Sequence, residues 1–472
     1  MNRRRLLAAV VMAAGMLALV PQAAVAHAGL GRQDLPIPSW LFGWGATVVL
    51  VASFVGLAVL WPKPRLEQPA ETRVLPVPKL LDPICGALGV ALFVLVVYAG
   101  FAGSQTTAAN IAPTFIFVIF WVGLVVASAL FGDIFKAFNP WRAIGRAAAA
   151  IASAVSRKPL PAPMPYPAAL GRWPAAAGIL AFAWVELVYP GRQDPSDLAI
   201  LALAYAAVQL VGMSLYGVSA WSRYGDGLGV YFGLFARISP LRWERGALYR
   251  RLPLSGLTTL DAVPGTVALL CTMIGTTSFD GFSNGPVWSS IAPRIANSLV
   301  NLGFSQATGL ELAFTIGLVT VVATVGGLYQ LGVRGMAQVS NIELPAEQLA
   351  ARFAHSLVPI ALAYVVAHYF SLLATQGQAI FYLMSDPLGT GANYFGTSQT
   401  TIDYTIFPAT TIWYVQVAAL VIGHVAGLIL AHDRALVTFK DSRVATRSQY
   451  WMLAVMIAFT SLGLWLLSAA NS

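Results

Sequence analysis

Long apolar segments alternate with polar connections along most of this chain. Ten such segments follow the first 26 residues, and each has close to the roughly 20 residues that an α-helix needs to cross about 30 Å of hydrocarbon. They lie near residues 40–61, 84–103, 112–132, 173–190, 197–220, 261–279, 308–333, 353–374, 406–431 and 450–469. The pattern predicts an all-α fold, a polytopic transmembrane helix bundle of about ten spans that forms a single integral membrane domain over residues 27–472.

The first 26 residues predict a cleavable signal peptide. MNRRR provides a basic start, residues 6–20 are apolar, and alanines at 24 and 26 occupy the positions that a signal peptidase recognises. Cleavage would make His27 the first residue of the mature protein, where its imidazole and the free α-amine could together chelate a divalent metal. In the alternative interpretation, the cleavage site simply tolerates a histidine after alanine.

Lysine and arginine concentrate in every second connection. An exported N-terminus directs the first span from outside to inside, so alternate connections are predicted to lie in the cytoplasm. The connections predicted inside are 62–83, 133–172, 221–260, 334–352 and 432–449, and they hold 22 of the 28 Lys and Arg residues. Those predicted outside hold Arg32, Arg192 and Arg294. The distribution predicts a multi-pass protein of the plasma membrane with both termini outside.

Composition agrees with a membrane protein and removes several function classes. Hydrophobic residues make up 58% of the chain and charged residues 10%, which is not typical of a soluble globular protein. The net charge of +9 is explained by topology and does not indicate nucleic-acid binding. Cys85 and Cys271 both lie in apolar segments without metal-ligand spacing, so neither a disulfide nor structural zinc is expected.

Four connections carry patterns of their own. After Asn139-Pro140, arginines mixed among alanines predict a helix at the inner membrane surface, and the arginine-rich and aromatic stretch 221–257 is expected to lie on the same anionic leaflet. On the outer side, the stretch from Ser278 predicts turns and then a short amphipathic helix. The stretch 376–404 has a short apolar piece and a Gly/Asn/Asp loop, as a re-entrant or lid segment would.

Ionisable side chains inside predicted spans are costly and are therefore candidates for function. With a rise of about 1.5 Å per residue, Glu186, Glu311 and His368 lie ~6, ~5 and ~9 Å below the outer ends of their spans. Asp280 lies at the outer mouth of its span, on the same side as mature His27. Imidazole and carboxylate at one depth would suit a first-row metal that activates water. The alternative is structural: the glutamates reach the interface, Asp280 closes a turn, and His368 bonds a carbonyl.

A second group of histidines lies toward the cytoplasm. His355 is near the inner end of the eighth span, His432 is at the border of the ninth, and His424 lies ~10 Å from that inner end. His424 is flanked by Gly423 and Gly427, a GxxxG pattern that permits close approach of another helix. His355 and His424 are candidate metal ligands, although their depths differ by ~7 Å. Helix packing and hydrogen bonding is the alternative role for His424.

Several familiar catalytic motifs are missing from the sequence. We find no GxSxG elbow, no P-loop, no HExxH and no dinucleotide fingerprint. Serine hydrolase, ATPase, zincin and soluble redox functions therefore lose support.

Four strings resemble the bacterial, often actinobacterial, membrane proteins called fenitrothion hydrolases. They are HAGLGRQDLPIPSWLFGWGATVVLVASFVGLAVLWPKPRLE, FGDIFKAFNPWRAIGRA, TTSFDGFSNGPVW and FAHSLVPIALAYVVAHYFSLL. The resemblance implies hydrolysis of an organophosphorus triester with release of a nitrophenol. In such a mechanism His27, His368 and Glu311 would bind a divalent metal such as zinc or copper. Asp280 would be a base or ligand, and Glu186 would orient the ligands.

Two other functions remain open. A transporter or copper-handling protein could accept a metal at His27 and pass it inward through His368, His424 and His355, since ten spans suit a carrier. A membrane scaffold could bind a partner, such as a second membrane subunit, through its basic inner loops. The hydrolase would take an apolar small molecule from the lipid bilayer, and no nucleic acid is expected in any of the three cases.

Overall fold

The computed structural model describes residues 39–470 apart from 69, 157–160, 245, 262, 341–343 and 440. Helices dominate this part of the chain, which confirms the all-α prediction. The predicted signal peptide, residues 1–26, and the candidate ligand His27 lie outside the described residues, so both stay predictions.

Helices occupy all ten of the predicted apolar segments. In chain order, these are α1 (Ser39–Leu60), α2 (Leu81–Ala102), α3 (Ile111–Phe131), α6 (Trp173–Leu187), α7 (Pro195–Tyr216), α10 (Thr266–Ser283), α12 (Gln306–Ser340), α14 (Leu357–Thr375), α16 (Ala409–Phe439) and α18 (Tyr450–Ala470). Within the described part, six stretches are long and apolar enough to cross a membrane: α2, α3, α7, α12, α16 and the stretch Ala346–Ser385 that contains α14. Such helices are typical of a membrane protein, while the count of ten spans stays a prediction.

Shorter elements fill the connections. They are α4 (Ile134–Phe138), α5 (Pro140–Ser156), α8 (Val218–Tyr224), α9 (Gly227–Ala236), α11 (Pro286–Asn301), α13 (Ala346–Phe353), α15 (Ile380–Ser385) and α17 (Ser442–Ser448), with β1 (Thr72–Pro76), β2 (Leu241–Glu244) and β3 (Ala247–Arg250). α5 and α11 are the amphipathic helices predicted after Asn139-Pro140 and after Ser278. The strands form a small antiparallel sheet in the order β1-β3-β2, which the sequence analysis did not predict.

The connection 221–257 departs from its prediction. Its helix α9 does not lie on the bilayer surface but inside the bundle, where Leu228, Phe232 and Phe235 are at most 4% exposed. The physical reason is that α9 contains no charged residue and is apolar all round, as a buried helix is. The arginines that suggested a surface location come before and after it.

Asp226 fastens this buried helix to its surroundings. Its carboxylate accepts hydrogen bonds from Asn139 Nδ2 (2.8 Å), Trp141 Nε1 (2.8 Å), Tyr205 Oη (3.0 Å) and the backbone N–H of Gly229 (3.1 Å). The side chain is fully buried, and such a group is stable only when its acceptor sites are satisfied. Asp226 therefore holds α9 against α5 and α7.

A second junction lies where α16 meets the segment after α1. Asp433 accepts hydrogen bonds from Trp61 Nε1 (2.9 Å) and from the backbone N–H groups of Arg65 (2.7 Å) and Leu66 (2.8 Å). On either side, His432 Nε2 bonds to Trp61 O at 3.0 Å and Arg434 pairs with Glu67 at 2.6 Å. His432 is thus a packing residue, and the three side chains of α16 pin the segment 61–67 to the bundle.

Close helix packing gives a stability prediction on α12. A Cβ at Gly317 would lie 2.3 Å from the Trp288 ring and 2.6 Å from the Phe279 ring, whereas a Cβ at Gly327 would have no neighbour within 4 Å. Gly317→Ala is expected to destabilise by about 1–3 kcal/mol, because the buried rings must move. Gly327→Ala, on the same helix, is the matched control and is expected to be neutral or slightly stabilising. Thermal unfolding in detergent compares them, and equal melting temperatures would contradict the packing described.

Candidate functional site

Two of the predicted site residues form a hydrogen-bonded pair. Asp280 lies near the end of α10 and His368 lies in α14, and His368 Nε2 is 2.8 Å from Asp280 Oδ2. Their side chains are 15% and 22% exposed, so the pair is mostly enclosed yet reachable by a small molecule. Phe279, fully buried against Trp288, fixes the turn of α10 that carries Asp280. The shared depth of Asp280 and His368, predicted from the sequence, corresponds to direct contact.

Tyr369 and Asn284 complete the hydrogen bonds of Asp280. Tyr369 Oη donates to Asp280 Oδ2 at 2.7 Å, and Asn284 Nδ2 approaches Asp280 Oδ1 at 3.3 Å. The carboxylate is thereby held in one orientation toward His368. Neither residue was predicted from the sequence; the available signals were that Tyr369 follows His368 directly and that Asn284 comes one helical turn after Asp280.

Glu186 lies beside this pair, although the sequence indicated only a similar depth in the membrane. It is half-buried near the end of α6, interacts electrostatically with Asp280, and is within hydrogen-bonding reach of Trp121. Trp121 is held by stacking on Tyr231, with ring centroids 4.6 Å apart. It belongs to the segment Phe115–Gly123 of α3, which is a π-helix. π-helical turns are rare and are frequent at functional sites, so Trp121 joins the candidate site although no sequence pattern indicated it.

Glu311 is not joined to the Asp280–His368 pair by any contact in the described part of the chain. Its electrostatic neighbour is Tyr189, and its backbone carbonyl accepts a hydrogen bond from Thr315 Oγ1 at 2.8 Å. The similar depth predicted for Glu311 does not bring it to the pair, because depth along a helix does not determine which side chains meet, and Glu311 lies near Tyr189. Its role as a metal ligand stays a prediction without geometric support.

His355 and His424 lie apart from this site, between α14 and α16. His424 Nδ1 bonds to Leu420 O at 2.7 Å, and His355 Nδ1 bonds to Arg352 O at 3.1 Å. Both imidazoles are buried, and within the described residues neither Nε2 atom has a hydrogen-bond partner. Gly423 and Gly427 do allow the close approach predicted from GxxxG, since Cβ atoms there would collide with Ala363 and the Ser356 carbonyl.

The side chains of the site can be compared with the set of ligands that a divalent metal requires. Asp280 and His368 are possible ligands, but they bond to each other, and nowhere in the described ranges do three His, Cys, Asp or Glu side chains gather as a metal would require. His27 lies outside those ranges. The donor set present here is thus an acid–base pair, and it does not fit a metal without a further ligand.

The segment 376–404, predicted to be a re-entrant or lid segment, packs on the connection that leads into α3, where Ser104 N–H donates to the Leu388 carbonyl at 2.7 Å and Ile111 N–H to the Pro387 carbonyl at 3.2 Å. Gln378 Nε2 donates to the Asp403 carbonyl at 3.0 Å, and Phe370 and Phe407 pack with ring centroids 5.7 Å apart. Its role as a lid over Asp280 and His368 stays a prediction.

An apolar cavity of about 800 Å³ lies behind α6. Its wall includes Phe182 and Val185, from the helix that carries Glu186, with Phe120 and Phe135 from elements nearer the inner side. Asp280 and His368 do not line it. Its surface is almost wholly apolar and suits a lipid chain or an apolar small molecule.

Comparison with known proteins gives no match: no protein-family model, no curated protein and no solved structure is similar to this chain. The resemblance to fenitrothion hydrolases is therefore still a prediction, and a functional proposal has to rest on the Asp280–His368 site.

Proposed function

We propose that this chain is a membrane-embedded hydrolase of apolar organophosphorus triesters, with His368 as general base. The observation that carries the proposal is the 2.8 Å hydrogen bond between His368 Nε2 and Asp280 Oδ2, on a carboxylate also held by Tyr369. A carboxylate that accepts the Nε2–H of an imidazole fixes the tautomer whose Nδ1 carries a lone pair. No described residue is hydrogen-bonded to that Nδ1, so it is free to accept a proton.

The reaction would be a displacement at phosphorus by water. His368 Nδ1 takes a proton from the water as its oxygen bonds to phosphorus, and the bond from phosphorus to the aryl oxygen breaks, releasing an aryloxide. Asp280 stabilises the imidazolium that forms. Tyr369 keeps the carboxylate in place, and Glu186 lies beside it.

The location of the pair favours an apolar substrate. An aryl phosphotriester is uncharged and partitions into the bilayer, from which it could reach a site enclosed among helices and aromatic side chains. The predicted depth of His368 places the reaction in the outer half of the membrane. Charged phosphate mono- and diesters would be excluded, because their transfer into such a site is costly.

A divalent metal, zinc or copper, was predicted from the sequence as the water-activating group. The described residues supply two of its possible ligands, so the mechanism above contains no step through a metal. A third ligand from the N-terminal residues would change this, and chelation tests it directly.

Nitrophenolate release from fenitrothion tests the proposal. The full-length protein is purified in detergent, its N-terminus is sequenced, and turnover is measured with and without a chelator. We expect turnover above that of protein-free micelles, with a phosphodiester of the same nitrophenol as the unreactive control. Loss of turnover on chelation would add a metal to the mechanism. A folded, metal-supplemented protein without turnover would end the proposal.

Metal transport is a second candidate, supported by the buried Nε2 atoms of His355 and His424 that lack partners. An imidazole nitrogen in this state is available to a passing metal ion. Uptake of zinc or copper into proteoliposomes, compared between the unmodified protein and a His355→Gln, His424→Gln double variant, would show it. Uptake without triester turnover would favour the transporter over the hydrolase.

A further inference from the structure

A second cavity, of about 1000 Å³, opens on the face predicted to be cytoplasmic. It lies among the segments 71–82, 133–172 and 218–261, and neither Asp280 nor His368 lines it. Its charged lining comprises Lys136, Arg142, Arg146, Arg172, Arg223, Arg237, Arg242 and Arg251 with Glu71, Asp82, Asp133, Glu244 and Asp261. Eight cations face five carboxylates, so the cavity carries an excess of positive charge.

Four of the five carboxylates are already engaged by arginines. Asp82 pairs with Arg142 at 3.0 Å and also with Arg146. Further pairs join Arg223 to Asp261, and Arg242 to both Glu71, at 2.5 Å, and Glu244. The fifth carboxylate, Asp133, accepts the backbone N–H of Lys136 at 3.1 Å, and burial raises its pKa. The excess positive charge therefore belongs to other arginines.

Arg172 is the most deeply buried of these arginines. It is 3% exposed, and its Nη1 donates to the carbonyl of Asp261 at 3.0 Å and to Thr266 Oγ1 at 2.7 Å. Its Nε, also buried, has no partner among the described residues. Burial, and then the nearby charge of Arg237, lower the pKa of Arg172 to about 10, so it remains protonated at neutral pH. A buried cation with an open donor requires an anion.

Arg237 lines the same cavity and is close enough to Arg172 for the two charges to repel each other. Its Nη1 donates to the Gly256 carbonyl at 3.2 Å and to Thr259 Oγ1 at 3.0 Å, and it forms no ion pair within the described residues. Burial lowers its pKa; the charges of Asp261 and Asp133 oppose this shift, and those of Arg223 and Arg242 add to it.

Arg251 adds a third buried guanidinium. Its side chain is 7% exposed, and its closest carboxylate, Glu71, is 3.9 Å away. Its other nitrogens donate to backbone carbonyls. The buried guanidinium groups of Arg172 and Arg251 and the half-buried one of Arg237 thus line one cavity, in which eight cations face five carboxylates.

We infer that this cavity binds a phosphate group, carried either by the headgroup of an anionic lipid or by a soluble phosphate ester. Guanidinium groups match phosphate oxygens through paired N–H donors, and one dianion would neutralise Arg172 and Arg237 together. The rim is open, since Arg146 and Arg223 are 52% and 60% exposed. The volume exceeds that of a phosphate alone and leaves room for the organic part of a ligand. The inference does not rest on the proposed hydrolase.

The test uses the full-length protein and two kinds of probe. Inorganic pyrophosphate is titrated against detergent-purified protein by calorimetry at fixed ionic strength, to detect a soluble ligand. Nanodiscs containing phosphatidic acid or phosphatidylcholine are compared by native mass spectrometry, to detect a retained lipid. The variants are Arg172→Gln and Arg237→Gln, and Arg447→Gln, exposed on α17 outside the cavity, is the control.

We expect at least one probe to bind, with affinity falling about tenfold or more in each cavity variant and unchanged in the control. Pyrophosphate binding would identify a soluble ligand, and selective retention of phosphatidic acid a lipid. Arg237→Gln keeps the test decisive if Arg172→Gln fails to fold, which the melting temperature without ligand reveals. The inference is overturned if neither probe binds the unmodified protein, or if the folded cavity variants bind as tightly as the control.

Discussion

His368→Ala is expected to lower the rate of triester hydrolysis by about 100- to 10,000-fold, the usual contribution of a positioned general base. The substitution removes the nitrogen that would accept the proton of water and leaves Asp280 with Tyr369 and Asn284 as partners. Because the side chain is 22% exposed and not part of the packed core, the fold should persist. Initial rates over a range of substrate concentrations, with the melting temperature, separate loss of chemistry from loss of structure.

Substitutions of the residues that surround His368 should lower kcat to different extents. Asp280→Asn keeps the size of the side chain but removes the charge that stabilises the imidazolium, so kcat should fall almost as far as in His368→Ala. Tyr369→Phe removes one donor to Asp280 and should have a smaller effect on kcat. Tyr394→Phe, on an outer loop and 71% exposed, is the matched control. A His368→Ala protein that melts normally and keeps its full rate would remove His368 from the mechanism.

The depth of these residues could be predicted from the sequence, but not their neighbours. Counting residues from the end of an apolar segment gives the level of a side chain in the membrane, because a helix rises by a constant amount per residue. It does not give the rotation of the helix or which helices pack together. Asp280 and His368 are in contact and Glu186 lies beside them, whereas Glu311, for which a similar depth is predicted, lies near Tyr189. Tyr369 and Trp121 were missed because aromatic residues within spans are usually core.

The contacts made by the connections predicted to be cytoplasmic could not be predicted from the sequence pattern either. Arginines at both ends of α9 suggested a surface helix. The helix is nevertheless buried, and the hydrogen bonds that Asp226 accepts hold it inside the bundle. In the sheet formed by β1, β2 and β3, the paired residues of β1 and β3 are 171 to 178 positions apart in the chain, and no local pattern could pair Thr72 with Arg250. These long-range contacts bring the residues of the basic cavity together. From the sequence alone, its arginines were explained by membrane topology, and their proposed role in binding phosphate becomes visible only in the folded chain.

Asp433→Ala is expected to lower the free energy of unfolding by about 3–5 kcal/mol, the largest stability effect we predict. The carboxylate is fully buried, and its loss would leave Trp61 Nε1 and the backbone N–H groups of Arg65 and Leu66 without acceptors. Asp433→Asn should also destabilise, because one carboxylate oxygen accepts from two donors and the other from one, so an amide NH₂ would face a donor in either orientation.

The matched control for Asp433 is Asp441→Ala. Asp441 also accepts a backbone N–H, that of Arg443 at 2.8 Å, but it is exposed at the start of α17, so its loss should cost only about 1 kcal/mol. Thermal unfolding in one detergent ranks the three variants, and limited proteolysis should cleave the segment 61–67 first in the Asp433 variants. Equal melting temperatures for Asp433→Ala and Asp441→Ala would mean that water replaces the lost acceptor. The segment 61–67 would then be held to α16 by Arg434 and His432, and not by the buried carboxylate.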